Sequence, residues 1–503
     1  MAGISTSLGC GIMLNETSDL KDVVSLMIPA ADVIDQIALE KLSRLLADDL
    51  DFHDQDSRYA SHSFHAFPAK FPPQLPAKFI QSLTKPGETV LDPMMGSGTT
   101  VLEAFLLGRK AIGFDIDPLA LLLTKTKITP IHPHQVLVLG REIVHRAKIS
   151  FHERRNEIEY ELNTFWDEET KDFINYWFAK DVQIALKAIL NEIEKVDNED
   201  IKDFFKLSFS AIIITKSGGV SLALDLAHTR PHRVERALDW NGNIVCDFSR
   251  EHGHTKKVRS KKIRSPFEEF ERRYMQNVRA FREIGFFTDQ INMFEYFDKP
   301  VSRLKPYVAI GNAQRIPVSS SSVDLIVTSP PYASNAIDYM RAHKFSLVWF
   351  GYTIAELTTH RRQYIGAEGT KDVLLHNLPP NTMDTIERLS LKDRKKGLVL
   401  HRYYSEMKNV LSEMFRVLKP GGTAVFVVGN SNIRGQDVSI PECLCEIGTS
   451  LGFLVPGIGI RRLDRNRRMM PTSTTVNNES QIQQRMHEEY VIGFYKPLRI
   501  QDL

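Results

Sequence analysis

The sequence predicts an α/β protein: an open, doubly wound, mainly parallel sheet carrying a large, mainly helical insertion. Three observations predict it. The apolar runs Thr89-Val90-Leu91 and Val323-Asp324-Leu325-Ile326-Val327 each end in a loop dense in glycine, proline and hydroxyl residues, Asp92 to Thr100 and Thr328 to Tyr332. Further short apolar runs follow the same style at Ala111 to Phe114, Val308 to Ile310, Thr423 to Val428 and Tyr490 to Phe494. The alternation of strand and helix patterns stops between about residues 130 and 305 and then resumes. Short, continuously apolar runs are what strands buried on both faces look like, and open sheets of this kind bind ligands beyond the carboxyl ends of their strands.

Residues 1–55 form a helical extension, because Val33, Ile34, Ile37, Leu39, Leu42, Leu45 and Leu46 make a helical stripe. Residues 56–130 form the first half of the sheet domain. Phe64 to Pro73 is punctuated by prolines and cannot be a helix interior. A helix with Leu75, Phe79, Ile80 and Leu83 inward follows it, then the strand Val90-Leu91 and a helix from Thr99 to Leu107 that Gly108 ends. The second strand stops at Asp115-Ile116-Asp117-Pro118. Residues 131–304 are the insertion and a candidate recognition region. Charged helical segments occupy roughly 136–205, with Trp166, Phe173, Tyr176, Trp177 and Phe178 read as core. Residues 305–503 form the second half. There an amphipathic helix from His401 to Leu418 is stopped by Lys419-Pro420-Gly421-Gly422 before the strand Thr423 to Val428. No internal repeat is present.

Composition narrows the classes. A chain of 503 residues exceeds a single hydrophobic core. With 42% hydrophobic and 25% charged residues it is of ordinary globular type, and a net charge of +2 says nothing about nucleic acid, so any such signal must come from local clustering. No apolar run is long enough for a membrane span, and the N-terminus lacks a secretory signal pattern. Four cysteines do not make a disulfide framework, so a reducing, cytoplasmic setting is expected. Cys443 and Cys445 have no second pair or nearby histidine to complete a zinc set, and no metal is expected.

The first loop, Asp92-Pro93-Met94-Met95-Gly96-Ser97-Gly98-Thr99-Thr100, is suited to a nucleoside ligand. Glycines between strand and helix let backbone N–H groups approach closely, and Asp115 stands about twenty residues on, where a ribose acceptor belongs. The second loop, Ser329-Pro330-Pro331-Tyr332, is suited to a flat ring bearing an amino group. An exocyclic amine is a poor nucleophile because its lone pair is delocalised into the ring. Ser329 Oγ and the carbonyl of Pro330 can accept its two N–H bonds, with Pro330 and Pro331 fixing the backbone that aims them. Tyr332 can stack on an extruded base, an interaction worth roughly 1–3 kcal/mol, comparable with the cost of unstacking. None of the cysteines directly follows a proline, so no Pro-Cys nucleophile is present.

Together these loops resemble those of the S-adenosylmethionine-dependent amino-methyltransferases of DNA, which methylate exocyclic amines of cytosine or adenine. The resemblance covers about 60–128 and 305–495 and does not extend to the insertion. It implies a Rossmann-like methyltransferase sheet with S-adenosyl-L-methionine as cofactor. It places Asp92 and the backbone of Gly96, Ser97, Gly98 and Thr99 against the methionine part, Ile116 on the adenine and Asp115 on the ribose. Met94 replaces the family's usual phenylalanine, and Asn312 stands where an acidic residue commonly meets the adenine amine. The proline-rich segment containing Phe71 resembles the family's other cofactor element. Serine in the first position of the tetrad is typical of the cytosine-N4 subgroup. Adenine-N6 methylation of DNA, guanine-N2 methylation of RNA and a non-catalytic DNA-binding scaffold are the alternatives. By the same resemblance the partners are double-stranded DNA and a cognate restriction nuclease of a restriction-modification or host-defence system.

Two basic clusters are candidates for holding DNA phosphates: Lys256, Lys257, Arg259, Lys261, Lys262 and Arg264 in the insertion, and Arg461 and Arg462 with Arg465, Arg467 and Arg468 near the far end of the sheet. No DNA-reading motif identifies a target sequence.

Overall fold

The computed structural model describes residues 30–68, 70–215, 217–224, 226, 231–248, 259–283, 305–333, 338–367, 374–463 and 488–498. The chain opens with α1 (Ala30–Ala47), a short 3-10 turn at Ala60–Ser63 and α2 (Gln74–Leu83). The strand–helix alternation follows as β1 (Thr89–Asp92), α3 (Thr99–Leu106), β2 (Lys110–Asp115) and α4 (Pro118–Ile128). The next stretch comprises α5 (Pro133–Glu153), α6 (Arg155–Phe165), α7 (Glu168–Trp177), α8 (Lys180–Glu194) and α9 (Glu199–Ile213). It continues with a small sheet of β3 (Arg236–Leu238), β4 (Ile244–Asp247) and β5 (Ser260–Lys262), and then α10 (Pro266–Glu283). The main sheet resumes with β6 (Tyr307–Ile310) and β7 (Val323–Thr328), followed by α11 (Tyr339–Leu347), α12 (Ile354–Arg362), α13 (Pro380–Lys392) and α14 (Arg394–Val417). The described chain closes with β8 (Leu418–Gly429), the small hairpin β9 (Asn432–Ile433) and β10 (Gln436–Asp437), α15 (Ile440–Ser450), β11 (Ile458–Arg462) and β12 (Glu488–Tyr495).

The main sheet has seven strands in the order β11-β12-β8-β7-β1-β2-β6. β8-β7-β1-β2-β6 pair in parallel, and β12 runs antiparallel to both its neighbours. From β1 the chain winds outward through β2 to β6 and then crosses back to lay β7 on the other side of β1. The order therefore reverses between β1 and β7, and their carboxyl ends flank the crevice where such sheets bind ligands. Alternate strand residues face opposite layers. Val90, Leu325 and Val427 pack with Leu42, Leu46 and Phe79, while Leu91, Ile326 and Phe426 pack with Tyr404, Met407 and Leu411 of α14. This two-sided burial explains why the strands read as continuous apolar runs.

Two features differ from the sequence reading. Lys419 to Gly422 does not end the helix as a free turn but is the first part of β8, where the pairing register shifts beside Val323. Gly421 adopts φ +78°, and the turn is held by Gly421 N–H to Lys496 O (2.8 Å) and Lys496 N–H to Gly422 O (2.9 Å). The core of the insertion also extends beyond residue 304. Phe345, Val348 and Trp349, which follow β7, pack into it, and Trp166 Nε1 donates to Val348 O at 2.8 Å. In the aromatic group, Trp166 and Phe178 are buried as read, whereas Tyr176 is exposed. Among the described residues no helix is long and apolar enough to cross a membrane.

Candidate active site

A cavity opens at the reversal point, the place where open α/β sheets bind small ligands. Both loops singled out in the sequence reach it. Asp92, Met94, Gly96, Ser97 and Thr99 line it from the end of β1, Asp115 and Ile116 from the end of β2, Asn312 from the end of β6, and Ser329 and Pro331 from the end of β7. Phe71 lines it from the proline-rich segment. Gly98, Pro330 and Tyr332 are not among its lining residues.

The glycine loop is shaped by glycines that no other residue could replace without strain. Gly98 caps α3 with φ +71°, and a Cβ there would lie 2.5 Å from Thr124 Oγ1. Gly96 also has positive φ, and a Cβ would meet the Phe67 ring at 3.2 Å. The loop is tied from behind by Lys127, whose buried ammonium donates to Ser97 O at 2.6 Å. Asp115 ties it from the side: Oδ2 accepts from Gly96 N–H (2.8 Å) and Oδ1 from Asp117 N–H (2.9 Å). Burial and the neighbouring Asp117 push the Asp115 carboxyl up to about 6. Each of its oxygens keeps a lone pair beyond these bonds. Asn312 is exposed, and its Oδ1 already accepts from Gln314 N–H at 2.9 Å, in a local turn that limits its reach to a ligand.

Asp92 joins the two loops. It is buried, and Oδ1 accepts from Thr328 Oγ1 (2.7 Å) and from Met94 N–H (3.2 Å). No Lys or Arg pairs with it among the described residues. Burial drives its carboxyl from the ordinary 3.8 up to about 7. Lys70 lines the same cavity, and its ammonium donates to His62 O at 2.7 Å. Burial pushes the Lys70 amine down to about 8. A buried carboxylate without a cationic partner and a lysine amine without an acidic partner among the described residues, both on one cavity, are complementary to a ligand carrying both charges, such as the amino-acid end of a larger molecule.

Sequence reasoning missed several lining residues. Asp117 caps α4 by accepting from Leu119 N–H (2.8 Å), and its Oδ2 accepts from Tyr364 Oη (2.7 Å) and pairs with His343 Nδ1 (2.6 Å). Burial raises the Asp117 carboxyl, but His343 and these hydrogen bonds outweigh it and hold it below its ordinary value. The Asp-Pro pair at the helix start was the available signal, since it marks an N-cap. Lys70 stood inside the quoted proline-rich segment. Tyr339 and Tyr364 on the cavity, and His343 buried behind Asp117, carried no local signal, because only tertiary packing brings them to the strand tips.

Ser329 is half-buried and faces the cavity, while Tyr332 points toward the sheet edge. The Tyr332 hydroxyl donates to Glu489 Oε1 at 3.3 Å.

The basic clusters divide. Lys256 and Lys257, and Arg465, Arg467 and Arg468, lie outside the described residues. Arg259, Lys262 and Arg264 are exposed, Arg264 paired with Glu269 at 3.3 Å. Lys261 is corrected: on β5 it points inward and donates to Ser221 O (2.8 Å) and Ala223 O (2.9 Å), so it presents no charge to a phosphate. Burial pushes its amine down to about 7. Arg461 is corrected likewise, being buried and paired with Glu489, whereas Arg462 next to it is exposed. In both cases the period of two in a strand turns adjacent basic residues to opposite faces.

A family model described as DNA methylase matches residues 44–125 and 323–490. Type II methyltransferase M.MvaI of Kocuria varians is 26% identical across 81% of this chain and 85% of its own length. Type II methyltransferase M.BsoBI of Geobacillus stearothermophilus is 22% identical across 73% of each chain. A solved DNA modification methylase chain of Thermus thermophilus, in complex with S-adenosyl-L-methionine, is 20% identical over 38% of this chain and 54% of that one, with a TM-score of 0.19.

Proposed function

We propose, from the premise that this chain belongs to the DNA amino-methyltransferase family, that it methylates the N4 amine of a flipped cytosine in duplex DNA. S-adenosyl-L-methionine is its cofactor and supplies an electrophilic methyl group on sulfur. The observation that carries the reading is the shared cavity: the unpaired Asp92 carboxylate and Lys70 amine, the Asp115 carboxylate and the Ser329 hydroxyl all line it. Asp92 and Lys70 suit the cofactor's ammonium and carboxylate. Asp115 suits its ribose hydroxyls through the lone pairs left free by Gly96 and Asp117. Met94 and Ile116 offer apolar surface to its adenine.

Ser329 Oγ and the Pro330 carbonyl accept the two N–H bonds of the target amine. This turns the nitrogen lone pair out of conjugation and toward the electrophile, and the same acceptors stabilise the positive charge that builds on nitrogen during transfer. Pro330 and Pro331 remove backbone freedom from this loop. Tyr332 provides the stacking face for the extruded base. The choice of cytosine rests on Ser329 in the first position of the tetrad. Arg259, Lys262, Arg264 and Arg462 are the described basic residues available to DNA phosphates, and a restriction-modification setting in the cytoplasm, beside a nuclease, fits the relatives.

Mass spectrometry of nucleosides from duplex DNA incubated with the protein and S-adenosyl-L-methionine tests the reading. N4-methylcytosine is expected. N6-methyladenine would replace the base assignment, and methylated guanosine in transfer RNA would replace the substrate class.

A further inference from the structure

Tyr332 sits on a row of three residues that crosses the edge of the main sheet. Gly429 of β8 pairs with Glu489 of β12, and Glu489 pairs with Arg461 of β11. The Tyr332 ring lies over Gly429, where a Cβ would stand 3.4 Å from its Cζ. Its hydroxyl donates to Glu489 Oε1 at 3.3 Å, while Oε2 of the same carboxylate takes the Arg461 guanidinium. Glu489 is 5% exposed and Arg461 4%. We infer that the Arg461–Glu489 pair is a positioning device that fixes the plane of the Tyr332 ring and so prepares the stacking face before the base arrives. The inference rests on the proposed role of Tyr332.

A buried ion pair is a poor source of stability, since apolar residues of similar volume serve as well or better, so its place here calls for another reason. Glycine at 429 leaves one face of the ring against bare backbone, which sets its height but not its tilt. The hydroxyl bond to Glu489 fixes the tilt, and Arg461 fixes Glu489 by occupying its second oxygen. Burial, followed by the adjacent Glu489 charge, raises the Tyr332 phenol well above its usual range, so the hydroxyl stays a donor and takes no part in proton transfer. A ring already held in place spares the entropy of ordering it when the base arrives.

The test is a cycle on the full-length protein with a duplex DNA that the wild-type methylates. Tyr332→Phe removes only the hydroxyl. Replacing the pair together, Arg461→Met with Glu489→Leu, removes the acceptor without stranding a buried charge. Each should raise KM for DNA about three- to tenfold, the effect of one hydrogen bond, with S-adenosyl-L-methionine affinity unchanged. Combining the three substitutions should be no worse than either alone, because both remove the same hydrogen bond. Arg461→Lys, which keeps a cation for Oε2 and leaves Oε1 to the Tyr332 hydroxyl, should hold KM to within about twofold of wild-type, and it also covers the case in which the paired replacement folds poorly. Losses that multiply in the combined variant, a paired replacement with wild-type KM, or an Arg461→Lys as impaired as the paired replacement would each overturn the inference. Tyr332→Ala separates the two levels. If it leaves DNA capture intact, the stacking role itself fails and the positioning role with it. If it impairs capture while the paired replacement is silent, only the positioning role fails.

Discussion

Replacing Asp92 by asparagine should stabilise the protein while weakening its hold on S-adenosyl-L-methionine. Asp92 is 2% exposed, and its carboxyl is raised from 3.8 to about 7 by burial. A carboxyl that is harder to ionise in the folded state than in the unfolded one makes stability fall as pH rises between the two values, because the unfolded chain releases its proton first. Below about pH 4 there is no penalty, and above about 7 it is complete, at roughly 4 kcal/mol. Asparagine escapes it, and its amide oxygen still accepts from the Thr328 hydroxyl and Met94 N–H. The variant should therefore unfold at a higher temperature than wild-type at pH 8, with the gap shrinking to about half by pH 5.5. The full 4 kcal/mol is an upper bound, since the new NH2 group needs acceptors of its own. Isothermal calorimetry should show the cofactor binding roughly 10- to 100-fold more weakly, from loss of one charge-assisted hydrogen bond. For wild-type, affinity should rise as pH passes through 7, because only the ionised carboxylate attracts an ammonium. A variant less stable than wild-type at pH 8, a stability gap independent of pH, or an unchanged cofactor affinity would each refute the reasoning.

Asp115→Ala should also weaken cofactor binding in a folded protein, since it removes the carboxylate proposed for the ribose hydroxyls and frees Gly96 N–H; calorimetry giving the wild-type affinity would take Asp115 out of the site. Ser329→Ala should lower turnover roughly 10- to 100-fold with cofactor affinity kept, and full turnover on DNA would end the tetrad's proposed role. Arg259→Ala with Lys262→Ala should lower the slope of log DNA affinity against log salt by about 0.9 for each phosphate no longer neutralised. Lys261→Met, by contrast, should lower thermal stability by stranding the Ser221 and Ala223 carbonyls and leave the salt slope alone. A slope that responds to Lys261 and ignores its neighbours would reverse the assignment.

Local chemistry made much of this protein legible in its sequence. Short two-sided apolar runs announce buried parallel strands, and glycines or paired prolines directly after them announce loops of special backbone geometry. Asp92, Gly96, Asp115 and Ser329 could therefore be assigned to strand ends, and each lies within a few residues of the signal that marks it. What the sequence left open depends on partners far along the chain. Ser329 and Asp92 share a cavity because the sheet reverses its order between β1 and β7, and no local pattern encodes that adjacency. His343 and Tyr364 meet Asp117 through the packing of the segments that follow β7. Lys261 and Lys262, like Arg461 and Arg462, are equivalent as letters; strand register sends one of each pair inward and the other to solvent. Sequence periodicity fixes which elements form, because it reflects burial of one residue against its near neighbours. Tertiary structure decides which charges meet, because pairing across a sheet is set by register and topology, and burial then determines whether a charge faces a ligand, a partner or water.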